Sequence, residues 1–287
     1  MKTLKFIFAI FFLTFIISCN NDNEMSLDKN QESLNLSKTL KEPTLIGNEI
    51  LLPEGTNWKF TDESHGEVDF TLPEGFEFLL FNERTNELRI APVGGGYSCT
   101  CSGDNSCTTF YNKDLGYGCL QSSCSGSCTG KNSKLSSEFT VEGILYTAND
   151  NLDADFPKHK ASLSNKGKEL LFEIPEFQNE IKRTYDVIYK YSSKPDFSDK
   201  NLIQKVDSKK YTFAKTHLYG FDLALLIPND SNLNELMPNL RKITIEDGPT
   251  SCSCSGGSEG GTCKLEKKGL LGYVAYYCNG CTTCTMN

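Results

Sequence analysis

Apolar and polar residues alternate with a period of two over 68–90. Val68, Phe70 and Leu72 fall on one face, Pro73-Glu74-Gly75 interrupts, and Phe76, Phe78 and Leu80 resume the alternation. A turn over 82–86 leads to Leu88 and Ile90. A half-buried strand requires this pattern, so the stretch predicts a meander of short strands. Leu-Pro-Glu-Gly occurs at 52–55 and again at 72–75, which predicts two similar turns. Gly94-Gly95-Gly96 reads as a joint between this β-rich stretch and the cysteines beyond it. Further along, strands are expected over 139–148, 169–174, 221–227 and 242–245. Phe177, Ile181, Tyr185 and Ile188 recur at helical spacing after Pro175, a permitted helix-start residue, and their stripe reads as core. A shorter helix is expected over 232–236. The chain reads as a β-rich α+β protein.

Cysteines add a second level of organisation. Ser-Cys-x-Cys-Ser-Gly occurs at 98–103 and at 251–256, each opening a run of six cysteines. The first run is Cys99, Cys101, Cys107, Cys119, Cys124 and Cys128. The second is Cys252, Cys254, Cys263, Cys278, Cys281 and Cys284. Leu-Gly-Tyr precedes the fourth cysteine in both, at 115–117 and 271–273, and Cys128-Thr129 echoes Cys284-Thr285. These matches predict a duplicated module, with each copy following a β-containing region. The boundaries expected are 1–18 for a leader, 19–44 for a tether, 45–96 for a β-rich region and 97–134 for the first cysteine module. An α+β region over 135–250 and the second module over 251–287 complete the chain.

The chain of 287 residues carries 29 Lys+Arg against 37 Asp+Glu, a formal charge of -8. With no basic block it suits phosphate backbones poorly, so a nucleic-acid partner is not expected. Lys2 and Lys5 precede an apolar run over 6–17, 12 residues long. A membrane span needs roughly 20, so the run reads as a signal-peptide core. Ile16-Ile17-Ser18-Cys19 resembles the lipobox of bacterial lipoproteins. The resemblance implies cleavage after Ser18 and acylation of Cys19, with the lipid bilayer as partner and the bacterial outer membrane or cell surface as address. Two or more acyl chains hold a protein stably on a bilayer. Removing 1–18 takes two lysines and no acids, leaving -8 - 2 = -10. Asn20, Asp22 and Glu24 resemble the region after the acylated cysteine in surface-exposed lipoproteins of the Bacteroidota. The polar composition of the tether reads as a flexible coil.

Three chemistries compete for the twelve remaining cysteines. Disulfides suit an exported chain with an even count, and segments of 30 and 33 residues are too short to hold themselves by apolar burial. Six cysteines allow fifteen connectivities, and spacing does not choose among them. A Cys-x-Cys pair is expected not to bridge to itself. The alternative is metal–thiolate: Cys278, Cys281 and Cys284 are spaced like part of an iron–sulfur run, although the matching gaps in the first copy differ. Thiol redox catalysis through Cys278/Cys281 or Cys281/Cys284 is the third, without the strand-to-helix context it requires.

No catalytic constellation emerges. His65, His159 and His217 are scattered and pair with no evident nucleophile. His65, Glu67 and Asp69 alternate and would share one strand face, either as a cation site or as a polar edge. Gly-Gly-Ser-Glu-Gly at 256–260 has the spacing of a nucleophile elbow without its flanking strand and helix. Tyr273, Tyr276 and Tyr277 could form a recognition surface or a small core. The reading is a membrane-anchored extracytoplasmic lipoprotein, stabilised by disulfides, with a non-enzymatic binding or structural role. No cofactor is expected, and the partner would be a protein or glycan. The alternative is a thiolate metal- or iron–sulfur-binding protein for electron transfer or metal handling.

Overall fold

A computed structural model describes residues 37–47, 50–62, 67–112, 116–121, 123–133, 139–148, 159–205, 207–229, 241–243, 252–254, 263–280 and 284–286. These belong to one unit, Ser37–Asn287. The lipobox, Cys19 and the rest of 1–36 lie outside the described residues, as do His65, the 232–236 helix, the 256–260 glycine loop and Cys281.

The first half of the unit is built of strands: β1 (Lys38–Thr39), β2 (Thr44–Ile46), β3 (Ile50–Leu52), β4 (Asn57–Asp62), β5 (Glu67–Thr71) and β6 (Phe76–Asn82). Then come β7 (Glu87–Ala91), β8 (Val93–Cys101), β9 (Thr108–Asn112), β10 (Gly116–Leu120), β11 (Cys128–Ser133) and β12 (Phe139–Tyr146). After β13 (Ser162–Leu163), helices α1 (Asn165–Leu171), α2 (Pro175–Ile188) and α3 (Leu202–Lys205) follow. The second half closes with β14 (Tyr211–Leu218), β15 (Phe221–Pro228), β16 (Arg241–Ile243), β17 (Cys252–Cys254), β18 (Lys264–Leu270), β19 (Tyr273–Asn279) and β20 (Cys284–Met286). The β-rich expectation holds.

The largest sheet runs β1-β4-β5-β8-β11-β12-β6-β7, with β13 also on β12. A four-stranded sheet runs β3-β2-β10-β9, a five-stranded one β16-β14-β15-β19-β18, and β17 pairs with β20. Each strand of the expected meander forms, but β5 and β6 do not pair. The run β8-β11-β12 stands between them, so only β6 and β7 make a hairpin. Gly94-Gly95-Gly96 is not a joint but the interior of β8, with Gly95 opposite Phe70 and Gly96 opposite Asp69. A Cβ on Gly95 would come within 2.4 Å of the Phe78 ring, so the bare backbone lets an aromatic side chain lie against the strand.

Strand β6 explains how two apolar cores share one sheet. Phe78 and Leu80 enter the core of the first half, whereas Leu79 and Phe81 enter that of the second. Successive side chains of a strand point to opposite faces, so an unbroken apolar run serves both. In the second core, α2 buries Phe177, Ile181, Tyr185 and Ile188, as their spacing predicts. The Tyr185 hydroxyl donates to the Val274 carbonyl at 2.6 Å and accepts from the Leu226 N–H at 3.1 Å.

Two boundaries differ from expectation. Residues 37–44 belong to the folded body: Lys38 pairs with Trp58, and Leu40 is buried. Residues 169–174, read as a strand, instead lie in α1 and the turn after it. The Ser164 hydroxyl accepts from the Gly167 N–H at 2.9 Å and donates to Glu142 at 2.7 Å, and this cap starts the helix where the apolar run alone suggested extended chain.

Candidate functional site

A cleft of about 770 Å³ opens where the first half of the unit meets the second. The repeated Leu-Pro-Glu-Gly segments form one lip. In both, the residue after the turn donates its N–H to the proline carbonyl, Thr56 to Pro53 at 3.3 Å and Phe76 to Pro73 at 3.1 Å. Gly55 and Gly75 adopt φ of 86° and 84°, the left-handed conformation that favours glycine at the third turn position. Glu54 and Glu74 thereby stand exposed at the mouth.

The opposite wall comes from the β14–β15 hairpin. Its two-residue turn, Tyr219-Gly220, has φ of 54° and 74°, as a type I′ turn needs. The Ala161 N–H donates to the Gly220 carbonyl at 2.8 Å, which docks the 159–161 segment on this turn. His159 stacks on Tyr146 at 4.4 Å and meets the edge of Phe76. Phe221 and Asp222 begin β15 and line the cleft. From α1, Lys168 reaches the interior; it is 4% exposed, and its ammonium donates to Asn279 at 3.4 Å. Cys278 and Cys284 complete the lining.

Asp222 faces His217 across β14 and β15, and the two side chains are in contact. Burial would raise the Asp222 carboxyl. The bond to His217, with the positive fields of His217, Lys160 and Lys215, outweighs burial and holds it below its ordinary range.

Glu67 and Asp69 lie on β5, as alternation predicts, and His65 falls outside the described residues. Tyr273, Tyr276 and Tyr277 are buried and form core, not a surface. Tyr273 stacks on Tyr185 at 4.7 Å, Tyr276 meets Phe213 edge-on, and Tyr277 packs on Phe172. The cleft residues Lys160, Lys168 and Asp222 were not singled out by motif. No local signal in the sequence marks them; only the twin Leu-Pro-Glu-Gly turns of the opposite lip were legible, and those as turns.

The described cysteines are joined as disulfides. In the first run Cys99 bridges Cys119, Cys101 bridges Cys124 and Cys107 bridges Cys128, so first joins fourth, second joins fifth and third joins sixth. In the second run Cys252 bridges Cys278 and Cys263 bridges Cys284, again first to fourth and third to sixth, and Cys254 is disulfide-bonded as well. Neither Cys99 with Cys101 nor Cys252 with Cys254 closes on itself. Strand registers run in parallel: Cys101 lies opposite Cys128 and Cys254 opposite Cys284, while Cys119 lies opposite Thr109 and Cys278 opposite Leu265. The surroundings differ, since β10 pairs with β2 and β19 pairs with β15.

The sulfurs of Cys101, Cys107 and Cys124 lie within 4.8 Å of one another, a spacing that could hold a metal ion. All three are engaged in disulfides, and a metal requires thiolates. Among the described residues no helix is long and apolar enough to cross a membrane. No protein family, curated protein or solved structure matches the chain.

Proposed function

We propose that the protein is a lipid-anchored, extracytoplasmic binding protein whose ligand enters the cleft between its two cores. The cleft itself carries the reading. It is concave, mostly apolar, of ligand size, and furnished with a few charged groups, which is the usual make-up of a small-molecule site. The disulfides support the address, because such bonds persist outside the cytoplasm. The leader and the Cys-after-Ser18 motif support the anchor. We further read the two cysteine runs as copies of one module, given their common linkage order and strand register. Peptide mapping should then give Cys254–Cys281 as the remaining bridge.

Two measurements test this. Cys19→Ala should move the protein from the membrane to the soluble fraction; membrane retention would remove the anchor. Native mass spectrometry of the protein released from intact cells should show a bound small molecule that Leu51→Trp, which fills the lip, no longer carries. An adduct that survives Leu51→Trp would exclude the cleft.

The sulfur cluster around Cys107 supports a second reading, metal binding by the reduced protein. Elemental analysis separates the two: stoichiometric zinc, iron or copper together with free thiols would favour the metal.

A further inference from the structure

We infer that Trp58, Tyr111 and Tyr117 form a second binding site, separate from the cleft, for a neutral pyranose sugar. The inference does not rest on the cleft reading, since none of the three lines the cleft.

The starting point is a hydroxyl without a partner. Tyr117 on β10 is 3% exposed and belongs to the first core, and its hydroxyl has no hydrogen-bond partner among the described residues. A buried polar group left unpaired is costly, so such a group marks a place where a partner is missing. The second cysteine run supplies the contrast. Leu-Gly-Tyr occurs in both runs, and each tyrosine follows a glycine of positive φ near the start of the later strand of a hairpin, Tyr117 after Gly116 and Tyr273 after Gly272. Tyr273 is as deeply buried, but its hydroxyl donates to Asp186 and accepts from Lys194. The second half of the unit thus meets internally a demand that the first half leaves open.

Aromatic rings surround Tyr117. Tyr111 lies directly opposite it, so the two side chains leave the same face of the β9–β10 hairpin, with ring centroids 5.2 Å apart. Trp58 meets Tyr117 edge-to-face at 5.7 Å and Phe60 at 5.5 Å. Trp58 and Phe60 are only partly covered, and Tyr111, on an edge strand, is 41% exposed. Exposed side chains change rotamer within nanoseconds, so Tyr111 can lift away and uncover the hydroxyl beside it. Burial, with the Tyr111 phenol nearby, holds the Tyr117 hydroxyl protonated far above neutral pH, hence able to donate as well as accept.

These groups decide the chemistry of the ligand. A pyranose has a face of C–H groups, which suits the electron-rich faces of Trp58 and Tyr111, and hydroxyls at its rim, one of which can pair with Tyr117. A quaternary ammonium also favours aromatic faces. It would meet the Lys38 ammonium, which lies 5.5 Å over the Trp58 ring, and it carries nothing to pair with the phenol.

Trp58 is the single tryptophan of the chain, so its emission reports on the site directly. The test is titration of the full-length protein, in a detergent without a sugar head, with cellobiose, lactose and diacetylchitobiose, and with choline as the contrasting probe. Each is taken to about 10 mM, enough to saturate a site with a Kd of about 1 mM. At least one sugar should change the emission saturably, and choline should act more weakly or not at all. Tyr117→Phe, which removes only the hydroxyl, should weaken that sugar about five- to tenfold, and Tyr111→Ala about two- to tenfold. Tyr273→Phe should leave sugar affinity unchanged. Denaturant unfolding adds a second readout: Tyr117→Phe should be no less stable than the native protein, whereas Tyr273→Phe, which loses two hydrogen bonds, should be less stable. No saturable response to any of the three sugars, a response indifferent to Tyr117→Phe and Tyr111→Ala, tighter binding of choline, or a Tyr117→Phe protein as destabilised as Tyr273→Phe would overturn the inference.

Discussion

At the scale of single residues, Asp222 shows how environment overrides residue type. Its carboxyl is largely buried, which alone would favour the protonated form, yet His217 and two lysines keep it ionised to lower pH than usual. A carboxyl whose folded pKa lies below its unfolded value of about 3.9 contributes stability above that value and loses it as pH falls through the folded pKa. Asp222→Asn is therefore expected to cost about 1–3 kcal/mol at pH 7, with the gap to the native protein narrowing below about pH 4. Urea melts at pH 7 and pH 3 check this, and a gap constant across that range would assign the effect to packing. Lys168 was not legible as a site residue. It lies in the polar stretch Asn165-Lys166-Gly167-Lys168-Glu169, and nothing local distinguishes it from a solvated lysine. Burial comes from α1 lying so close to β12 that a Cβ on Gly167 would sit 2.0 Å from the Glu142 carbonyl oxygen.

At the scale of elements, helix α2 was legible from Pro175 and its four-residue stripe, because period and start signal agree. Helix α1 was not. Its apolar residues Leu170, Leu171 and Phe172 are contiguous, and contiguous apolar residues suit a buried strand equally well. The deciding interaction is Ser164 bound at once to the helix N-terminus and to Glu142 on a distant strand. Ser164→Ala should lower stability by about 1–2 kcal/mol, from the lost cap and the unpartnered buried carboxylate, and denaturant unfolding measures it. A loss within experimental error would show that tertiary packing alone fixes α1. The hairpins closed by Tyr219-Gly220 and Leu271-Gly272 were equally hidden. Both turns put a residue other than Asn, Asp or Gly at a positive φ, so the usual hairpin signature is missing.

At the scale of the whole molecule, the cysteine runs are not separate small domains. Strands β8 and β11 are central members of the largest sheet, and Cys99, Cys107 and Cys124 are buried in the first core. Cys101–Cys124 and Cys107–Cys128 therefore fasten loops to a sheet that also has apolar support, and Cys99–Cys119 ties β8 to β10. Replacing Cys101 and Cys124 together with serine should cost about 2–4 kcal/mol, seen as a lower denaturation midpoint. A cost below about 0.5 kcal/mol would mean that the sheet holds those loops without the covalent link.

The amino-acid order alone determined the strand-rich character, helix α2, the two proline–glycine turns and the twin cysteine runs. Each depends on neighbours a few positions apart, where side-chain period, turn stereochemistry and sulfur spacing act directly. The tertiary structure decided which strands pair, which cysteine meets which, and that Lys168, Asp222 and the two Leu-Pro-Glu-Gly turns surround one cleft. Those outcomes depend on contacts between segments far apart in the chain, such as Lys168 with Asn279. They are set by which apolar faces can be buried together, a property of the folded whole that no local window of sequence contains.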